Sequence, residues 1–277
     1  MDRIRILPIV ENKVYLPQLT AQHGLSLWIE WRGMKILFDF GQDKDVFMHN
    51  AQILGVDVKK ADMFVLSHGH YDHSAGLKAL IKQPGKKRHL FLGKGALVRR
   101  FRDKKGENPI GSGLSLSDLT SSFIVNEVKD VVNPVEGIFL GGNIPRRNKF
   151  KIKMRRYYKQ SMEGEIEVDD FSDEIAMYIV SEKGLIVITG CSHRGILNII
   201  DYGVSISGVK KIDAVIGGFH LSAVDMESMS NMAKALRRYK IRRLMPMHCV
   251  ALDELCMLKK AFPENMELVS CGKEVFI

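Results

Sequence analysis

The stretch that decides the fold and the chemistry of this chain is Ser67-His68-Gly69-His70-Tyr71-Asp72-His73-Ser74-Ala75-Gly76-Leu77. Because His68 and His70 are two residues apart at the end of an extended apolar run, their side chains point to the same side and can bind one ion. Asp72 and His73 fall in the turn that starts the next predicted helix, far enough along the chain to serve a second ion. Imidazole and carboxylate ligands suit zinc, iron or manganese, and the lack of a CxxC pair argues against a closed structural zinc site.

Short apolar runs that end in a polar residue and a turn recur along the chain. They cover residues 35–41, 63–69, 89–93, 137–141, 185–191, 214–220 and 243–248. Runs of this length predict strands that are buried on both faces. Apolar residues three or four positions apart predict helices over 74–82, 195–202, 228–239 and 251–262. Strands that alternate with helices predict an α/β (α+β) protein whose ligands bind at the strand ends.

Six of the nine histidines follow such runs, namely His68, His70, His73, His193, His220 and His248. A single histidine in such a place could equally be a hydrogen-bonded core residue. Together, the six are better explained as ligands or acid/base groups around a metal pair. Asp39 ends an earlier run and fits a carboxylate that orients a ligand histidine, with a turn-capping role as the alternative.

The composition excludes several classes of protein. The 277 residues are 45% hydrophobic and 26% charged, which is enough to bury a core and excludes a disordered chain. No apolar run approaches the roughly 20 residues of a membrane span, and the charged start lacks the apolar core of a signal peptide. We therefore expect no membrane partner. Four cysteines are too few for a disulfide scaffold, so we expect a cytoplasmic protein. We expect one domain over 1–277 with a basic insertion around 82–165.

The positive charge is concentrated in two segments. The formal net charge is +9, and residues 86–105 and 146–159 carry nine and eight of the 41 lysines and arginines. Such segments are either solvated faces or a basic rim that draws in a phosphorylated or otherwise anionic substrate. Arginine suits phosphate oxygens because its planar guanidinium donates two parallel hydrogen bonds.

The segment from His68 to His73 resembles the HxHxDH motif of the metallo-β-lactamase superfamily, which follows a strand. Asp39 before the motif and the strand-end histidines after it are also similar to that superfamily. A finer similarity is to the branch related to 7,8-dihydropterin-6-methyl-4-(β-D-ribofuranosyl)aminobenzene-5′-phosphate synthase. The elements that carry it are Gly190-Cys191-Ser192-His193 with Gly195, Ile196 and Asn198, the GGFHL element at 217–221, His248-Cys249, Ile144-Pro145-Arg146 and the acidic segment 169–173. The similarity spans residues 25–277.

This resemblance implies a four-layer αββα sandwich with two divalent metal ions, zinc first and iron or manganese as alternatives. By position, His68, His70 and His193 would hold the first ion, and Asp72, His73 and His248 the second. Cys191 stands where the superfamily usually has a bridging aspartate. His220 would be a ligand or a catalytic group that protonates or holds the substrate, and Arg146 would bind its anionic group.

The function we expect is a dinuclear metal-dependent hydrolase that acts on a small anionic ester, phosphorylated or not, through a metal-bound hydroxide to which Asp72 contributes. One alternative is a transferase of dihydropterin or methanopterin-type synthesis, in which the ions activate a diphosphate leaving group. A further alternative, which we rank lower, is a protein that processes or binds nucleic acid. The last alternative is a sensor protein that keeps the fold but does not turn over a substrate. The residues do not indicate an oligomeric state.

Overall fold

A computed structural model of the chain describes residues 3–82, 85–148, 156–161, 163–221 and 224–277. In chain order these residues form the strands β1 (Arg5–Val10), β2 (Ser26–Trp31), β3 (Met34–Phe38), β4 (Met63–Leu66), β5 (Arg88–Gly93), β6 (Arg100–Phe101), β7 (Phe123–Val128), β8 (Val131–Val135), β9 (Ile138–Gly141), β10 (Tyr158–Gln160), β11 (Ile166–Val168), β12 (Ala176–Ser181), β13 (Gly184–Thr189), β14 (Ile212–Gly218), β15 (Arg243–Met247) and β16 (Val275–Phe276). The α-helices are α1 (Lys44–Ile53), α2 (Tyr71–Ser74), α3 (Leu116–Thr120), α4 (Ile196–Ser207), α5 (Met226–Arg237) and α6 (Leu252–Ala261), and 3₁₀ helices cover Val58–Lys60 and Ala75–Leu80.

The chain folds into two compact units. The first unit comprises Met1–Val128, Arg155–Asp173 and Ser270–Ile277, and the second unit comprises Lys129–Met154 and Glu174–Val269. Within the described residues, the first unit has a seven-stranded sheet in the order β16-β1-β2-β3-β4-β5-β7 and a three-stranded sheet in the order β11-β10-β6. The second unit has a six-stranded sheet in the order β15-β14-β13-β12-β9-β8. The predicted segment 82–165 contributes strands to all three sheets.

In the first unit, helices cover one face of the seven-stranded sheet. Strand residues two positions apart point to the same face, and pairs such as Phe64 and Leu66 contribute to one buried cluster. Phe47 of α1 and Leu77 of the 3₁₀ helix belong to the same cluster. Strands β3, β4, β5 and β7 run parallel, so the loops that follow β3 and β4 leave the same edge of the sheet.

The second unit is built from strand–helix–strand repeats. Strands β13, β14 and β15 are parallel neighbours, and α4 and α5 form the crossovers between them. Helix α4 packs on the sheet through Ile196, Ile199 and Ile200, and it ends at Gly208, whose φ of +71° is the left-handed conformation that glycine adopts readily. Every residue of β13 is buried. The carboxyl ends of these three strands therefore lie at one edge, where an α/β sheet collects its ligands.

The predicted strands are confirmed, since the seven apolar runs coincide with β3, β4, β5, β9, β13, β14 and β15. The helices predicted over 195–202, 228–239 and 251–262 correspond to α4, α5 and α6 with shifted ends. The helix predicted over 74–82 is wrong in type and start: α2 begins at Tyr71, and a 3₁₀ helix follows it. Gly76 lies directly against the backbone of Phe40 there: a Cβ at position 76 would be 1.9 Å from the carbonyl oxygen of Phe40. No helix in the described ranges is long and apolar enough to cross a membrane.

Candidate metal centre

The first set of candidate ligands lies where β4 leaves the sheet of the first unit. His68 and His73 are fully buried, and His70 and Asp72 are each 6% exposed. Nε2 of His68 lies 3.1 Å from Nδ1 of His70. Two nitrogen ligands of one tetrahedral zinc ion stand about 3.3 Å apart when each Zn–N bond is about 2.0–2.1 Å long. The separation of these two nitrogens therefore fits a shared ion.

Asp39 fixes the orientation of this ligand set from the neighbouring strand. Its Oδ1 accepts a hydrogen bond from the backbone N–H of Ser67 at 2.7 Å, and its Oδ2 accepts one from the Ser67 hydroxyl at 2.7 Å. The same Oδ2 lies 2.6 Å from Nδ1 of His73, and the Ser67 hydroxyl lies 2.9 Å from Nδ1 of His68. Because both rings are held through Nδ1, Nε2 is the nitrogen that each ring can present to an ion.

The protonation state of His68 suits metal binding. Burial disfavours the charged imidazolium, and the neighbouring imidazoles of His73 and His70 disfavour it further, so the pKa of His68 lies well below its ordinary value. His68 is therefore neutral near pH 7, which is the form that ligates a metal.

Asp72 occupies the first turn of α2, beside two histidines of the same unit. Its Oδ2 lies 3.8 Å from Nε2 of His73 and 3.1 Å from Nε2 of His23. The first contact brings a carboxylate and an imidazole close enough to share an ion after small side-chain adjustments. The sequence did not point to His23, because it stands in a loop before β2 and belongs to none of the motifs.

A buried ion-pair network supports the backbone between His68 and His70. The N–H of Gly69 donates to Oδ2 of Asp173 at 2.8 Å. Arg100 pairs with Asp173 at 2.7 Å and with Asp169 at 2.9 Å, and only 2% of its surface is exposed. Burial alone would lower the pKa of Arg100, but the two carboxylates raise it above its ordinary value.

Arg100 therefore corrects one expectation about the basic segment 86–105. It is neither a solvated residue nor part of a substrate rim, since its guanidinium lies inside the first unit with two carboxylates. The sequence signal that could have found this pairing is the acidic segment 169–173, whose charges match a buried arginine. The other basic segment, 146–159, lies partly outside the described residues.

The second set of candidate ligands lies in the second unit, after its three parallel strands. Cys191 and His193 follow β13, His220 follows β14, and His248 and Cys249 follow β15. The donor atoms of Cys191, His193 and His220 lie within 4.8 Å of one another, and so do those of Cys191, His248 and Cys249. All three histidines therefore lie at strand ends, as the sequence predicts, and a thiol is part of each group.

The thiol of Cys249 belongs to this set, although its position in the sequence predicts no role for it. Burial by itself would raise the pKa of the Cys249 thiol, but hydrogen bonds with Cys191 and His220 bring it well below its ordinary value. The HC element was visible in the sequence, yet only the fold shows that its cysteine lies beside Cys191.

Glu174 holds the loop that carries His193. Its fully buried carboxylate accepts the N–H of His193 at 2.7 Å and the N–H of Arg194 at 2.6 Å. The hydroxyl of Ser192 donates to the carbonyl of Gly218 at 2.6 Å, which ties the same loop to β14. Glu174 was not singled out from the sequence, because a single acidic residue before a strand carries no pattern.

Arg146 lies beside the same loop. Its Nη2 donates to the carbonyl oxygen of His193 at 3.3 Å, and the residue is exposed. His220 is half-buried, and its ring centroid lies 4.4 Å from that of His193. Both residues predicted to act on the substrate thus lie next to a candidate ligand of their own unit.

Strained backbone is concentrated at these residues. Of nine non-glycine positions with positive φ in the described ranges, four are Asp39 (59°), Ser192 (64°), His220 (49°) and His248 (53°). A positive φ costs energy in non-glycine residues and persists where the surrounding structure imposes it, which is common at functional sites.

Comparisons with known proteins agree with the fold and the motif. The family model of the metallo-β-lactamase superfamily matches residues 23–153. The chain is similar over 98% of its length to the crystal structure of Tm1679, a metal-dependent hydrolase of the β-lactamase superfamily, with a TM-score of 0.83, 27% identity and 98% of that chain covered. It also shares its fold with Zn²⁺-bound PqqB from Methylobacterium extorquens, with a TM-score of 0.58 and 13% identity over 98% of this chain and 99% of that one.

The chain belongs to the metallo-β-lactamase superfamily, and its fold is that of the superfamily. Within it, the chain is 31% identical to the 7,8-dihydropterin-6-methyl-4-(β-D-ribofuranosyl)-aminobenzene-5′-phosphate synthase of Methanocaldococcus jannaschii, over 99% of this chain and 96% of that protein. The synthase-related branch that the sequence elements indicate is thus confirmed. The fold and the synthase of M. jannaschii both indicate that the chain is an enzyme.

Proposed function

We propose that the protein is a dinuclear metal-dependent hydrolase that acts on a small anionic substrate, either a phosphorylated molecule or another charged ester. The observation that carries this proposal is the buried, pre-oriented pair of nitrogens on His68 and His70. Their 3.1 Å separation fits two ligands of one ion, and the Asp39–Ser67 pair holds the rings. The contact of the Ser67 hydroxyl with Nδ1 of His68 leaves Nε2 as the nitrogen of that ring that faces His70.

The proposed ligands of the two ions are five histidines, one aspartate and one cysteine. As the family resemblance implies, His68, His70 and His193 would hold one ion, and Asp72, His73 and His248 the other, with Cys191 in the place of the usual bridging aspartate. Imidazole, carboxylate and thiolate donors suit zinc, with iron as the next choice and manganese after it. Such ions supply Lewis acidity and lower the pKa of water toward neutrality.

The remaining roles belong to this chain's own groups. Asp72 carries a negative charge at the start of α2 and would accept a hydrogen bond from the attacking water. His220 is half-buried beside His193, a position from which an imidazole can hold or donate a proton to the leaving group. Arg146 is exposed next to the His193 loop, and its guanidinium would bind the anionic group of the substrate.

A second candidate function is transfer to an organic acceptor in place of water. The observation that favours it is the 31% identity to the M. jannaschii synthase across nearly the whole chain. In that case the same site would bind a diphosphate ester of a heterocycle, and an aromatic acceptor would attack where water attacks in the hydrolase.

The test combines metal analysis with product analysis. Protein purified without added metal is analysed for metal content and then assayed against phosphodiesters, phosphorylated heterocycles and charged lactones, with and without an aromatic amine acceptor. Release of alcohol or phosphate with water alone supports the hydrolase, and turnover only in the presence of the acceptor supports the transferase. Absence of both bound metal and turnover would reject the proposal.

His68→Ala provides the matched variant. We expect it to lose metal content and turnover while circular dichroism shows a folded protein. His89→Ala is the control, because His89 is exposed on β5 and lies outside the ligand sets. Full activity in His68→Ala would contradict the site assignment.

A further inference from the structure

Two cysteines of the second unit lie side by side at neighbouring strand ends. Cys191 follows β13 and Cys249 follows β15, and the strand between them is β14. The Sγ atoms of Cys191 and Cys249 and a ring nitrogen of His248 all lie within 4.8 Å of one another. Cys191 is buried and Cys249 is half-buried. The fold therefore places two thiols and one imidazole around a single point.

The surroundings of Cys249 make room for its sulfur and direct it. A Cβ at Gly218 would lie 2.6 Å from Sγ of Cys249, so only glycine at the end of β14 leaves space for the thiol. The backbone N–H of His220 donates to the same sulfur at 3.2 Å. His248 has a φ of 53°, an unfavourable conformation that turns the chain at the position just before Cys249.

We infer that Cys249 is a metal ligand together with Cys191 and His248, and that this pair of thiols gives the centre a preference for thiophilic ions. Sulfur ligands favour zinc, iron(II) or cadmium over manganese and magnesium, which prefer oxygen ligands. Binding of one divalent ion by the two sulfurs releases to the solvent whichever thiol protons are still bound at the pH of the experiment, and no electron is transferred. The inference rests on the proposed metal centre, but it assigns Cys249, which the family resemblance leaves without a role.

Cobalt(II) titration of the full-length, metal-free protein tests the inference without an activity assay. The titration is carried out under anaerobic conditions with a phosphine reductant. Visible d–d bands report that Co(II) is bound, and a thiolate-to-cobalt charge-transfer band in the near ultraviolet reports Co–S bonds. We expect both sets of bands in the wild type. The charge-transfer band should fall by about half in Cys249→Ser and in Cys191→Ser, and it should vanish in the double variant.

The remaining cysteines serve as matched controls. Cys256 is exposed on α6 and Cys271 is buried in the first unit, so Cys256→Ser and Cys271→Ser should keep the full charge-transfer band. A band that is unchanged in Cys249→Ser and lost in Cys191→Ser would overturn the inference about Cys249. Visible bands without any charge-transfer band would overturn the role of both thiols while the proposed metal centre stands. Absence of visible bands would overturn the metal centre itself.

X-ray absorption of the zinc-loaded wild type gives a second measurement that does not depend on a variant folding. Two sulfur neighbours at about 2.3 Å from one of the two zinc ions would support the inference. A zinc spectrum with only nitrogen and oxygen neighbours would overturn it.

Discussion

Single residues set the geometry of the first ligand set, and Asp39 is the clearest case. Its carboxylate is fully buried and contacts the backbone and hydroxyl of Ser67 as well as Nδ1 of His73. In Asp39→Asn, one of these contacts would place an N–H donor against another donor. We expect an affinity for zinc or cobalt about 10- to 100-fold lower, as is typical when a carboxylate that orients a ligand histidine is lost.

Competition with a chromophoric chelator measures this affinity. The control is Asp62→Asn, because Asp62 is exposed and accepts only a backbone hydrogen bond from Lys35 among its described contacts. Equal affinity in Asp39→Asn and Asp62→Asn would show that Asp39 only caps a turn, the alternative that its sequence position left open.

Cys271 gives a pH prediction at the same scale. Burial, with a smaller contribution from Glu11, raises the pKa of the Cys271 thiol from 9.0 to about 12. Above pH 9 the unfolded chain loses this proton and the folded protein keeps it. The unfolded state therefore binds fewer protons, and stability falls as the pH rises from 9 to 12. At about 1.4 kcal/mol per pH unit, this loss is at most about 4 kcal/mol.

Urea unfolding at pH 8 and pH 11 tests this expectation. Cys271→Ala removes the titrating thiol, so its loss of unfolding free energy between the two pH values should be smaller than that of the wild type. Cys256→Ala removes an exposed thiol and should follow the wild type. Parallel pH profiles for all three proteins would refute the prediction.

Among the elements, the loop after β13 depends on one carboxylate. Glu174 accepts the N–H groups of both His193 and Arg194, and glutamine at that position has only one oxygen to offer. In Glu174→Gln an amide donor faces a backbone donor, and a buried charged hydrogen bond is lost. We expect the free energy of unfolding to fall by about 1.5–3 kcal/mol, with weaker metal binding as a second effect.

The control for this loop is Glu182→Gln, an exposed change in the turn between β12 and β13. It should alter the unfolding free energy by less than about 0.5 kcal/mol. If chemical denaturation gave the same value for both variants, Glu174 would not be the support of the His193 loop.

The elements also show what the sequence could predict. Local patterns were sufficient to predict the strands, because a buried strand requires a continuous run of apolar residues in the sequence, as in β4 and β13. They were also sufficient for the strand-end positions of the candidate ligands, since HxHxDH and the later histidines stand directly after such runs. They failed where a distant contact decides the outcome. The N–H of Gly76 donates to the carbonyl of Gly41 and not to a carbonyl of the predicted helix, and the guanidinium of Arg100 is buried with Asp169 and Asp173.

At the scale of the whole molecule, the net charge of +9 is distributed unevenly between interior and surface. Arg100 is neutralised inside the first unit, and Arg146 is exposed beside the His193 loop of the second unit. Composition counts both residues alike, so the sequence could identify a basic protein but could not say which charges face a substrate. The charges that remain exposed are those that can attract an anion from solution.

This leads to a prediction about ionic strength. Salt screens exposed charges over about 10 Å at 0.1 M, so kcat/KM for an anionic substrate should fall several-fold between about 0.02 and 0.3 M salt. An uncharged ester of the same shape should show little change. In Arg146→Gln, kcat/KM for the anionic substrate should be lower at low salt, and its dependence on salt should be weaker. Lys210→Gln removes an exposed charge that precedes β14 at its amino end, and it should behave as the wild type.

The same salt series separates a small-substrate enzyme from a nucleic-acid-binding protein. A protein that binds polynucleotides through several phosphates loses affinity steeply, with a slope of about −0.9 per phosphate contacted in a plot of log affinity against log salt. We expect fluorescence anisotropy with a labelled oligonucleotide to show a shallow slope, because the anion contact proposed for this protein is a single arginine, Arg146, beside the His193 loop. A slope that corresponds to six or more phosphates would favour the nucleic-acid alternative and assign the basic segments to a polynucleotide.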